Sequence, residues 1–70
     1  MVEVFKTNVQ RQKQARILEE ALASQFPSIK INFDLEDCDK ILRVEGKKLA
    51  PDKIIKLLHS NGYLCQVLEY

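Results

Sequence analysis

Seventy residues suffice for one domain, near the lower limit at which a single hydrophobic core holds a fold without a disulfide framework or a structural metal. An apolar share of 46% against 30% charged residues excludes a disordered chain, and a formal net charge of +1 excludes general electrostatic attraction to nucleic acid or to an anionic membrane. Met1 to Lys6 lacks the apolar run of a signal peptide and no stretch reaches membrane-spanning length, so the expectations are a cytoplasmic location, no membrane partner and two free thiols.

Val2 to Val9 reads as a strand, with Val2 and Val4 on one face and Glu3, Phe5 and Thr7 on the other. From about Gln12 to Phe26 the spacing of Ala15, Leu18, Ala21, Leu22 and Phe26 predicts a helix, which Pro27 stops. Ile29 to Leu35 alternates strictly, with Ile29, Ile31, Phe33 and Leu35 on one face, and predicts a half-buried strand. The cluster Glu36-Asp37-Cys38-Asp39 turns the chain into a further strand, Lys40 to Glu45, which Gly46 ends. Pro51 and Asp52 suit the first turn of a second helix, whose buried face is Ile54, Ile55, Leu57 and Leu58. Asn61-Gly62 supplies a left-handed C-terminal cap, and Tyr63 to Tyr70 is the last strand.

Strand, helix and strand, taken twice, predict an α+β domain of ferredoxin-like βαββαβ topology spanning 1–70. Its four-stranded antiparallel sheet is expected in the order 4-1-3-2, with two helices on one face. In that arrangement the first loop and the start of the last strand are expected at one end of the sheet, and the Glu36–Asp39 hairpin at the other. Cys38 and Cys65 are then expected too far apart to share an ion, because ligands of one metal lie within bonds of only about 2.0–2.3 Å.

The run from Val9 to Leu22, Val-Gln-Arg-Gln-Lys-Gln-Ala-Arg-Ile-Leu-Glu-Glu-Ala-Leu, lines up without a gap on M-x-C-x-x-C-V-x-x-I-E-x-A-L. In this it resembles the heavy-metal-associated, copper-chaperone-like domains. Asn61-Gly62-Tyr63 before the last strand and the helix from Pro51 to Leu58 are similar to the same family's segments. The resemblance implies the ferredoxin-like fold, with Cys65 at a small buried position of the last strand. It also implies a metal loop whose two thiolates are here Arg11 and Gln14. Copper(I) requires soft sulfur donors, and neither a guanidinium nor a carboxamide replaces them. No metal and no cofactor is therefore expected.

The chemistry-bearing residues point away from catalysis. A phosphate cradle of the acylphosphatase type needs loop glycines, but the only glycines are Gly46 and Gly62. His59, the single histidine, belongs to a helix end, and Cys38 stands among carboxylates that disfavour its thiolate. Asp34, Glu36, Asp37 and Asp39 lack the spacing and turn glycine of a calcium loop.

Two surfaces remain. Arg11, Lys13 and Arg16, with Lys6 nearby, bring positive charge to the start of a helix and mark a contact for an anion or an acidic partner. Alternation assigns Phe5, Ile41, Leu64 and Leu68 to the sheet face away from the helices, as an apolar contact surface. That face lacks the paired aromatics and basic surroundings of an RNA-binding sheet, which argues against nucleic acid. The functional expectation is a small non-enzymatic protein-interaction module, with a protein partner or a second copy in a homodimer. The alternatives are a non-standard copper or zinc carrier, sharing Cys38 or Cys65 between protomers, and an anion-sensing regulatory domain.

Overall fold

Phe5 decides which side of the first strand turns inward. In the computed structural model, which describes residues 1–68, the elements are β1 (Val2–Thr7), α1 (Gln12–Gln25), β2 (Lys30–Asp34), β3 (Ile41–Glu45), α2 (Pro51–Ser60) and β4 (Cys65–Val67). Phe5 is 0% exposed, so the expectation that it lies on the open face is overturned. The strand Val-Glu-Val-Phe-Lys-Thr offers apolar residues on both parities. The neighbouring strands separate the two faces: Phe5 lies opposite the buried Leu42, whereas Val4 lies opposite the exposed Arg43, so Glu3, Phe5 and Thr7 turn toward the helices and Val2 and Val4 stay outside. Thr7 goes inward without an unmet polar group. Its hydroxyl donates to the Lys40 carbonyl and accepts the Val9 amide at 3.2 Å.

The sheet order is β2-β3-β1-β4, with every neighbouring pair antiparallel. Phe33 faces Leu42, and Leu42 faces Phe5, so three large side chains form one rung across β2, β3 and β1. Val44 lies one rung away, opposite Ile31 and Glu3. Ala15, Leu18 and Leu22 of α1 join Ile54, Leu57 and Leu58 of α2 in the same core, which places both helices on one face of the sheet.

α1 ends where Phe26 donates to the Leu22 carbonyl at 2.8 Å and Pro27 prevents another turn. α2 begins with Pro51 in its first turn and ends in a paired cap. Gly62, at φ +91, donates to His59, and Tyr63 donates to Leu58, both at 3.0 Å. β4 is shorter than expected at three residues, and Glu69 and Tyr70 of the expected strand lie outside the described residues.

The Glu36–Asp39 hairpin is not at the opposite end from the first loop. Thr7 donates its amide to the Asp39 carbonyl at 3.1 Å, and Lys6 Nζ lies 3.6 Å from Asp39 Oδ1. The cause is chain direction. β1 and β2 both run antiparallel to β3, so the connections that leave them depart from one end, and β4, antiparallel to β1, starts at that end too. Within the hairpin the Asp39 amide donates to Asp37 Oδ1 at 2.8 Å, and Lys40 takes a left-handed φ of 49. Among the described residues no helix is long and apolar enough to cross a membrane.

Candidate functional site

The connection between β1 and α1 is tied down at both ends. Val9 is fully buried beneath it, and Asn8 Oδ1 accepts the Leu64 amide at 2.8 Å, which binds the loop to the segment before β4. Arg11 is the residue preceding the first turn of α1, but its guanidinium has no acceptor and caps nothing. Gln14 performs the cap from inside the helix. Its Oε1 accepts the Arg11 amide at 3.3 Å and, more weakly, the Gln10 amide at 3.4 Å.

Asn8, Gln10, Arg11, Gln14, Gly62 and Tyr63 border an open cleft of ≈ 400 Å³ at this end of the sheet. The residues present do not fit a soft metal ion. Gln14 turns its oxygen onto the loop's own amides, Arg11 brings a positive charge, and neither offers sulfur. Of the three cationic residues expected to converge, only Arg11 borders the cleft, while Lys13 and Arg16 are exposed along α1 outside its lining. The first turn of α1 carries no acid to offset the positive helix end.

The cysteines have different fates. Cys65 faces Thr7 across β4 and β1, is 5% exposed, and burial pushes its thiol up to about 12. His59 and Cys65 border a common cleft of ≈ 510 Å³, but no hydrogen bond joins them, and a nucleophile requires its thiol lowered rather than raised. Cys38 is exposed and unpaired. Its sulfur lies within 4.8 Å of carboxylate oxygens of Asp37 and Asp39, the one such trio among the described residues. Asp37 is already engaged by the Asp39 amide and Asp39 by Lys6, so the trio reads as a turn that holds its own charges.

On the helix-free face, Ile41 is half-buried opposite Lys6, Leu64 is 68% exposed, and Leu68 is half-buried. The Leu68 amide donates to Val4 at 2.8 Å, so Val4, with Val2 at 44% exposure, occupies the centre that Phe5 was expected to hold. Alternation groups Val2 with Val4, and what it misses is that their side of β1, not that of Phe5, is the outer one. A larger weight on the single aromatic residue of β1 would have found it.

No family model matches the chain, and no curated protein is significantly similar to it.

Proposed function

We propose that this chain is a non-enzymatic protein-interaction domain of the ferredoxin-like βαββαβ class, which docks a protein partner or a second copy through its helix-free sheet face. The observation that carries the reading is the apolar group of Val2, Val4 and Leu68 on a face no helix covers, bordered by Arg43 and Glu45 on β3 and by Lys6, beyond which Ile41 and Leu64 add apolar surface. The topology is supported by the strand order, which counted from the β4 edge runs β4-β1-β3-β2.

We read the chain as a heavy-metal-associated-like frame without its metal loop. The gapless register from Val9 to Leu22 motivates this, and the inward faces of Val9, Ala15, Leu18 and Leu22 agree with it. The setting we propose is cytoplasmic, with Cys38 and Cys65 both kept as thiols.

Sedimentation equilibrium over a wide concentration range tests the reading, comparing the parent with Val4→Lys and Leu68→Lys. Association in the parent that both substitutions abolish, with the fold intact by circular dichroism, is the expected result for self-docking. For a different partner, co-purification from the native cell is expected to lose the same protein in both variants. If the parent stays monomeric and neither variant changes what co-purifies, this face is ordinary surface.

A further inference from the structure

We infer that the cleft between the end of α1 and the outer side of α2 receives an acidic, amphipathic helical segment of a partner protein. This surface lies on the helical layer, away from the sheet face described above. The cleft measures ≈ 640 Å³ and is bordered by Gln25, Phe26, Lys53, Lys56, Leu57 and Ser60. Its apolar wall is chiefly Phe26, the half-buried residue that caps the end of α1, with the edge of Leu57, 7% exposed, behind it. Its rim carries two lysines and no carboxylate.

Among the described residues the Lys53 amide donates to the Ala50 carbonyl, but neither the Lys53 nor the Lys56 ammonium has an ion-pair or hydrogen-bond partner. Lysine stems readily lie along apolar surface while the ammonium stays in water, so this pair presents charge beside the wall without closing it. Lys53, Lys56, Leu57 and Ser60 are spaced along one side of α2 over about 10 Å, the length of two helical turns. A partner helix with leucines toward Phe26 and Leu57 and glutamates toward the lysines matches both chemistries at once. α1 has no basic residue in its own last turn, so the two lysines of α2 also lie toward the negative end of that helix.

The test uses the whole chain and a dye-labelled synthetic helix with leucine and alanine on one face and glutamate on its flanks, read by fluorescence anisotropy. Lys53→Glu/Lys56→Glu is expected to weaken binding by about tenfold or more, since two rim charges are reversed. Lys13→Glu/Arg16→Glu, which changes the net charge equally on another surface, is expected to leave it within about twofold. Amide shifts in the nitrogen-15 spectrum are expected at Phe26 and Leu57. The inference is overturned if the two double variants weaken binding equally. It is also overturned if polyglutamate without leucines binds as well, or if a single-stranded oligonucleotide displaces the peptide at lower concentration. Loss of thermal stability in Lys53→Glu/Lys56→Glu with no binding by the parent would assign the lysines to the end of α1 and sink the proposal.

Discussion

Asn8 and Leu64, 56 positions apart, are joined by a 2.8 Å hydrogen bond from the Leu64 amide to Asn8 Oδ1. The bond spans the loop after β1 and the approach to β4, so it holds the short last strand against the first. Asn8→Ala should lower stability by about 1 kcal/mol, the usual net value of such a bond. Asn8→Asp keeps the acceptor and should stay close to the parent. Urea midpoints of the three proteins decide it, and equal midpoints for parent and alanine variant would show that the bond contributes nothing.

Phe5→Ala should be among the most damaging single changes in the domain, costing about 3–5 kcal/mol through lost burial and the cavity left behind. For a domain this small, whose whole stability is about 5–10 kcal/mol, that leaves a marginal fold. Val4→Lys, on the other side of the same strand, should retain native circular dichroism and a far smaller midpoint shift. Reversal of this order would mean that β1 has been assigned the wrong inner face.

The two thiols should separate chemically. A disulfide reagent at neutral pH is expected to modify the exposed Cys38 in the native protein, and the buried Cys65 only after unfolding. The same burial makes stability depend on alkaline pH. The folded Cys65 keeps its proton to about 12, whereas the unfolded thiol releases it near 9.0. Its contribution is therefore complete below about 9 and is lost as pH rises through about 12. Unfolding curves across that window, parent against Cys65→Ala, should diverge in slope on the alkaline side. Parallel slopes would refute the linkage.

Arg11→Cys/Gln14→Cys should create a one-to-one copper(I) complex that the parent lacks, because it supplies two thiolates at the start of α1. The same change removes the Gln14 cap and should lower the apo protein's stability by a few tenths to about 1 kcal/mol. Competition with a chromophoric copper(I) chelator under reducing conditions measures the gain. A folded variant that binds no better than the parent would break the register between Val9-to-Leu22 and the metal-binding signature.

Elements with one dominant period were legible in the residues. The alternation of Ile29, Ile31, Phe33 and Leu35 located β2, and the spacing of Ala15, Leu18 and Leu22 located the buried stripe of α1. β1 was located as a strand, but its inward face was not, because Val2 and Val4 compete with Phe5 and alternation alone cannot rank two valines against one aromatic residue. The end at which the hairpin sits was recoverable, since strands that share an antiparallel neighbour must run the same way. Gln14 as a cap was hidden for another reason. The usual signature begins with a serine or threonine, and here an arginine occupies that place. The bond from Asn8 to Leu64 leaves no local trace in the chain at all.

The central position of β1 has a consequence for synthesis. Its two neighbours are β3 and β4, so the strand made first pairs only with strands made much later, and Phe5 meets Val67 from the far end of the described chain. At ribosomal rates of about 5–20 residues per second, Phe5 waits roughly 3–12 seconds for that partner. During that interval the nascent chain carries an aromatic residue and an open strand edge that its own later residues must cover. The delay exposes the newborn β1 to chaperones and to neighbouring nascent chains before the sheet can close.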